Sequence, residues 1–123
     1  MLSETPVIPL QKISDPLIDS FGVELFMLRI DRVHPHISGN KWFKLKYNLP
    51  EAKKQGKQTL LTFGGAYSNH IAATAAAGKE FGFNTIGVIR GEEHFPLNQT
   101  LQFATNCGMR LHYVSREAYR QKT

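Results

Sequence analysis

The stretch Thr59-Leu60-Leu61-Thr62-Phe63-Gly64-Gly65-Ala66-Tyr67-Ser68-Asn69-His70-Ile71-Ala72 decides the fold. Its first five residues are a short, mostly apolar run rich in strand formers, the pattern of a buried strand. Gly64 and Gly65 end the run. Ser68 or Asn69 then stands where a helix needs a side-chain oxygen to accept its first free N–H groups. Behind that cap, Ile71, Ala72, Ala75 and Ala76 recur at core spacing until Gly82 offers a helix stop.

Working outward toward the carboxyl end, Thr85-Ile86-Gly87-Val88-Ile89 reads as another strand. A helix is expected over Leu97 to Asn106, with Leu101, Phe103 and Ala104 as apolar contacts and Gly108 closing it. Arg110-Leu111-His112-Tyr113-Val114 is the last strand, and a further helix begins over Ser115 to Tyr119. Toward the amino end, Trp42, Leu45, Leu49 and Ala52 form one stripe of a helix starting at Lys41, with Ser38 or Asn40 as its cap and Gly56 as its stop. Pro50 is expected to kink this helix or to start a second one. Val23 to Asp31 reads as a strand ended by His34-Pro35-His36 and Ser38-Gly39-Asn40. Residues 1–22, with Pro6, Pro9 and Pro16 and little periodicity, read as an extended lead-in.

From Lys41 the order is helix, strand, helix, strand, helix, strand. That alternation predicts an α/β fold: a small parallel sheet with helices on both faces, preceded by an extended N-terminal strand segment. No internal repeat or low-complexity segment interrupts it.

With 123 residues, 41% hydrophobic and 20% charged, the chain has the balance of a soluble, folded lobe. No apolar run approaches the roughly 18 residues of a membrane helix, and Met1 to Pro6 lacks the basic start and apolar stretch of a signal peptide, so no membrane association and a cytoplasmic location are expected. Cys107 is the single cysteine, which excludes an internal disulfide and a Cys-based zinc site and reads as a small buried hydrophobe. The net charge of +5 raises the question of nucleic acid. Its distribution argues against that partner: Lys41, Lys44, Lys46, Lys53, Lys54 and Lys57 recur around one helix, and Arg116, Arg120 and Lys122 lack interleaved stacking aromatics, so a solvated basic face is the simpler reading. His34 and His36 flank Pro35 without a third ligand nearby, which reads as a polar loop; no metal site is expected.

Two junctions look over-specified for folding alone. Ser38-Gly39-Asn40-Lys41 and Gly64-Gly65-Ala66-Tyr67-Ser68-Asn69-His70 both precede helices, at strand ends where open parallel sheets bind ligands. The second suits a carboxylate, with glycines for close backbone approach and a hydroxyl and an amide at the helix start; a glycine turn with a serine cap accounts for it equally. Lys41 alone reads as an ordinary solvated charge.

Ser38-Gly39-Asn40-Lys41-Trp42-Phe43-Lys44-Leu45-Lys46-Tyr47 and Gly64-Gly65-Ala66-Tyr67-Ser68-Asn69-His70, with Ser68 27 residues after Lys41, resemble two linked motifs of the 1-aminocyclopropane-1-carboxylate deaminase and D-cysteine desulfhydrase family. The resemblance runs from about Val23 to Val114 and implies the amino-terminal part of a fold type II pyridoxal 5'-phosphate (PLP) enzyme. Residues 1–40 would belong with the larger lobe, residues 41–123 would form the small α/β lobe, and the remainder of the large lobe, with its glycine-rich phosphate loop, would be absent. By the same resemblance Lys41 would form the Schiff base with PLP, Asn69 would bond the cofactor's ring oxygen, and Ser68 with the N–H groups of Asn69 and His70 would hold the substrate carboxylate. Catalysis is expected of Lys41 and Ser68, with Lys44 helping to keep the Lys41 amine deprotonated.

The implied reaction removes ammonia from a small amino acid and leaves a 2-oxo acid, either by opening a cyclopropane ring or by eliminating sulfide from D-cysteine. His70 after Ser68-Asn69 leans toward the desulfhydrase branch. A truncated enzyme, homo-oligomeric (dimeric) in its full-length form, is the expectation. A non-catalytic ligand-binding α/β domain or a structural remnant is the alternative.

Overall fold

The computed structural model describes residues 6–121, so the readings placed on Met1 to Thr5 and on Lys122 lie outside the described residues. Its centre is a parallel sheet of β3 (Thr59–Gly64), β4 (Asn84–Arg90) and β5 (Arg110–Val114) in the order β3-β4-β5. Parallel neighbours need a crossover, and α3 (Asn69–Phe81) and α4 (Gln99–Asn106) supply the two. Leu61 faces Ile86, and Val88 faces His112, so the register carries one set of side chains across all three strands.

Helix α3 is the packing centre. Ile71, Ala73, Thr74, Ala75, Ala76, Ala77 and Gly78 are all buried. Three of the four positions expected to form its core face, Ile71, Ala75 and Ala76, are buried and Ala72 is half-buried, whereas four further residues are buried as well. The reason is that the helix is contacted from two sides. Ala73, Ala76 and Ala77 meet Trp42, Leu45 and Leu49 of α2 (Asn40–Lys54), together with Val33, Ile37 and Phe83. Ile71 and Ala75 meet Leu101 and Ala104 of α4, with Ile89 and Met109. Small side chains let three helices approach where leucines would hold them apart. Gly78 marks the tightest point, since a Cβ there would run into the Thr85 methyl group and the Phe83 carbonyl.

Helix α2 narrows one expectation and corrects another. Pro50 starts no second helix; one helix runs from Asn40 to Lys54. Proline forfeits the N–H that would bond the Lys46 carbonyl, but Leu45 and Leu49 before it, buried, and Ala52 after it, partly buried, pack on the same core and hold the helix through that gap. Neither Ser38 nor Asn40 caps the helix: the N-cap is Gly39, at φ 62 with no side-chain bond. The chain enters α2 through a left-handed residue, which glycine adopts without the Cβ penalty. The other ends behave as read. Gly56 turns the chain at φ 69, Ser68 caps α3, Gly82 ends α3 in the left-handed region, and Ser115 caps α5 (Arg116–Arg120).

The amino-terminal region is more structured than a lead-in. β1 (Leu10–Ile13) pairs antiparallel with β2 (Leu25–Leu28), and α1 (Pro16–Ser20) lies between them. Asp15 caps α1 by accepting from the N–H groups of Leu17 and Ile18 at 2.8 and 3.4 Å, with Pro16 at the first helical position. β2 is shorter than the apolar run that suggested it, because Ile30–Arg32 forms a 3-10 turn. The Arg29 guanidinium grips the Asp31 carboxylate at 2.9 and 2.7 Å and reaches back to Gln11 at 2.6 Å.

Coverage of the main sheet is unequal. α3 and α4 pack against each other on one face, as two crossovers stepping in the same direction along a parallel sheet are expected to do. The other face meets α5, where the Tyr119 ring stands 6.0 Å from that of Phe63, and Leu61 remains 56% exposed. No helix among the described residues is long and apolar enough to cross a membrane.

Leu49 has no exposed surface and joins α2 to α3, so Leu49→Ala should cost about 3 kcal/mol of folding stability. Chemical denaturation followed through the single, buried Trp42 measures this directly; a loss under about 1 kcal/mol would mean that α2 is not part of the cooperative core.

Candidate functional site

The loop after β3 is built around Gly64. A Cβ on Gly64 would lie 2.7 Å from Ile71 Cγ1 and 2.8 Å from both Ser68 Cβ and Oγ, so only glycine lets the loop fold back onto the start of α3. Ser68 Oγ accepts from the Ile71 N–H at 3.3 Å, and the Ser68 N–H donates to the Gly65 carbonyl at 3.1 Å. Ser68 is thereby fixed as the cap, and Asn69 and His70 become the first two helical residues. Their N–H groups belong to the first turn, where a helix has no internal acceptor to offer them. Asn69 is exposed and His70 is half-buried.

A residue that sequence reading passed over secures this loop. Asn98 Nδ2 donates to the Ala66 carbonyl at 3.0 Å, while Asn98 Oδ1 accepts from the Leu101 N–H at 2.9 Å and so caps α4. The signal was present: asparagine is a preferred N-cap, and its position three residues before Leu101, the first apolar contact of α4, marks the helix start better than Leu97 does.

Lys41 is half-buried in the first turn of α2. Its amine is held below the ordinary lysine value, first by burial and then by the charge and hydrogen bonding of Lys44, one turn away. The His70 imidazole is likewise held below its ordinary value, first by burial and then by the charges of Lys41 and Lys44. Lys41, Lys44 and His70 therefore share one electrostatic neighbourhood, and Ser68 and Asn69 immediately precede the third of them. His70 Nδ1 and Thr74 Oγ1, one turn apart on α3, are buried without a hydrogen-bond partner. Both line a groove of about 420 Å³ between α2 and β3, with Lys44, Asn48 and Thr62.

The remaining candidates have structural work. His34 Nδ1 accepts from the N–H groups of His36 and Ile37 at 3.1 and 2.9 Å, and its Nε2 lies 3.1 Å from a Glu80 carboxylate oxygen. The His36 ring packs 5.3 Å from that of Phe103. Cys107 is a free thiol, half-buried against the α3–α4 core. Lys46 and Lys53 lie over aromatic rings, Lys46 over Trp42 and Tyr47 and Lys53 over Phe83, so part of the basic face of α2 covers the core.

No family model matches the chain. It is 39% identical over 90 residues to a putative 1-aminocyclopropane-1-carboxylate deaminase of Pyrococcus abyssi, an alignment spanning 73% of this chain and 26% of that protein. It is 34% identical over 103 residues to the mitochondrial bifunctional D-cysteine desulfhydrase/1-aminocyclopropane-1-carboxylate deaminase of Arabidopsis thaliana, spanning 80% of this chain and 26% of the relative. Among solved structures, an ACC deaminase homologue superposes with a TM-score of 0.75 at 29% identity, covering 87% of this chain and 32% of the other. The chain is thus similar in sequence and in fold to the 1-aminocyclopropane-1-carboxylate deaminase and D-cysteine desulfhydrase enzymes, and it spans about a quarter to a third of their length.

Two outcomes follow from the site's geometry. Gly64→Ala should displace Ser68, removing the cap and crowding Ile71, at a cost of about 1–3 kcal/mol and with large amide shifts at Ser68 to Ile71 by NMR. Because His70 titrates lower in the folded chain than its unfolded value of 6.5, the unfolded chain binds more protons as pH falls through that value; its contribution to stability is whole above 6.5 and is lost below it, down through the folded value. Thermal melts from pH 7.5 to 5 should therefore fall less steeply for His70→Asn than for the native chain, and parallel curves would rule this source out.

Proposed function

We propose that this chain supplies one wall of the catalytic site of a PLP-dependent deaminase or lyase, which takes ammonia from a small amino acid and leaves a 2-oxo acid. The observation that carries the reading is Lys41, whose amine is shifted toward its neutral form by burial and by Lys44, in the same neighbourhood as a helix start suited to a carboxylate. The similarity to 1-aminocyclopropane-1-carboxylate deaminases and D-cysteine desulfhydrases supports it.

The residues present suit a pyridoxal cofactor. Attachment to its carbonyl carbon requires a neutral amine, and Lys41 is the lysine whose surroundings favour one. Asn69, exposed at the head of α3, is the group for the ring oxygen. When bound, the ring supplies the electron sink for a carbanion next to the substrate nitrogen.

Ser68 and the first-turn N–H groups of Asn69 and His70 hold the substrate carboxylate. The Ser68 oxygen accepts the Ile71 N–H, which leaves its proton directed to a carboxylate oxygen. The positive end of the α3 dipole favours the same negative charge. His70, kept neutral by burial and by two neighbouring lysines, favours the D-cysteine desulfhydrase side of the family on the strength of its place after Ser68-Asn69. In this reading residues 41–123 are the small lobe, residues 1–40 lead to the larger one, and the full-length enzyme is a dimer.

The test is a PLP titration of the 123-residue chain at pH near 7.5, followed by borohydride reduction and peptide mass mapping. Lys41 should be labelled above every other lysine, and its advantage should shrink as pH approaches the ordinary lysine value of 10.5, where half of the ordinary amines are neutral. Indiscriminate labelling, or small-ligand binding that survives Lys41→Ala, would replace this reading with a non-catalytic binding domain. In a full-length relative, alanine at the position of Ser68 should lower kcat/KM by about 10²-fold or more while cofactor attachment persists; equal loss of both would count against the assigned roles.

A further inference from the structure

A second cavity, of about 330 Å³, opens at the carboxyl ends of β4 and β5 and has no part in the reading above. The sheet itself delivers its charged groups. Arg90 is the last residue of β4 and pairs in register with Val114; Arg116 is the first residue of α5, two positions further on. The Gly91 N–H donates to the Val114 carbonyl at 2.8 Å and fastens the two strand ends together. Both arginines line the cavity, and none of the ion pairs among the described residues uses either guanidinium.

Arg90 is held in position. Its guanidinium lies 5.7 Å over the Tyr119 ring, and its Nη2 sits 3.3 Å from where a Cβ of Gly65 would stand, so the glycine leaves it room. An independent feature points to the same cavity. The Tyr113 hydroxyl, which also lines it, is buried and has no hydrogen-bond partner. Burial, and then the charge of Glu93, raise its pKa, so it stays protonated and available as a donor. Tyr67, His94 and Asn98 complete the polar side-chain lining, with the Asn98 amide already engaged by the Ala66 carbonyl and the Leu101 N–H, and Glu92 stands against them as the one carboxylate there.

We propose that this cavity is a second oxyanion site, distinct from Ser68 to His70, in which Arg90, Arg116 and the Tyr113 hydroxyl hold a small carboxylate or phosphate group. Two guanidinium groups present a fork of N–H donors suited to oxyanions, and an orphaned buried hydroxyl regains a partner when one enters. Glu92 offsets one of the two charges, which favours a small anion over a polyphosphate. The anion has two possible sources. Ala66 and Tyr67 line the cavity and directly precede Ser68, so it could be the side-chain acid of an amino acid whose α-carboxylate sits on Ser68 to His70; a free anion is the other source.

The experiment is amide NMR of the 123-residue chain at fixed ionic strength, titrated with inorganic phosphate and, separately, with D-aspartate. Saturable millimolar shifts at Arg90, Gly91, Tyr113 and Arg116 are expected. Arg90→Gln with Arg116→Gln should weaken binding at least tenfold, Tyr113→Phe severalfold, and Lys53→Gln with Lys57→Gln not at all. Should the double arginine variant lose its native spectrum, Arg116→Gln alone, at an exposed helix start, carries the test. Phosphate shifts confined to the arginine set assign a free anion. D-aspartate shifts at both that set and Ser68 to His70 assign a substrate acid. Shifts that do not saturate, or that fall equally in the lysine control, would overturn the proposal by reducing it to diffuse surface charge. Binding that persists in Lys41→Ala separates this site from the cofactor reading, so either can fail alone.

Discussion

Everything in this lobe rests on how closely α3 approaches its neighbours. Its alanines and Gly78 allow α2, α4 and the sheet to share one helix, and two cores meet along it. A leucine at Ala75 or Ala77 would push at least one neighbour outward, because packed interiors have little slack. The proposed site depends on the same closeness: Lys41 is carried by α2 and Ser68 to His70 by α3, so the spacing of those two helices sets the spacing of these groups. The run of small residues in α3 sets that spacing.

Like charges gathered in one place are ordinarily a cost, and here they act with burial on two nitrogen bases. Lys44 and burial act in the same direction on Lys41, and the two lysines with burial act in the same direction on His70. A carboxylate beside Lys41 would reverse that arrangement by stabilising the protonated amine. The described neighbourhood instead keeps both nitrogen bases biased toward their neutral forms, as attachment to a carbonyl demands of an amine.

The elements whose signals are local were legible. Gly56, Ser68, Gly82 and Ser115 each announce a helix end through backbone chemistry that tertiary packing does not override, and all stand where sequence reading put them. The strands from Thr59 onward follow for the same reason. Less legible were features that depend on contacts distant in sequence. β1 is a four-residue strand that exists by pairing with β2, and its residues alone carry too little alternation to declare it. Pro50 looked like a boundary because propensity takes no account of Leu45 and Leu49 before it and Ala52 after it, all packed on one core. The link from His34 to Glu80 crosses the fold, as does that from Asn98 to Ala66. The neighbourhood of Lys41 and His70 was legible only through two motifs read together, since neither a lysine nor a glycine turn declares chemistry alone.

Asn98 does two jobs with one short side chain, capping α4 with its oxygen and holding the Ala66 carbonyl with its nitrogen. A side chain with so few torsions cannot follow the loop and keep the helix start satisfied at once. A loop displacement that keeps the Ala66 bond draws the amide plane away from Leu101 and loosens the first turn of α4, whereas one that breaks the bond leaves the Ala66 carbonyl without that donor. The Leu101 amide, through its hydrogen-exchange rate, therefore reads out the loop motions that Asn98 follows.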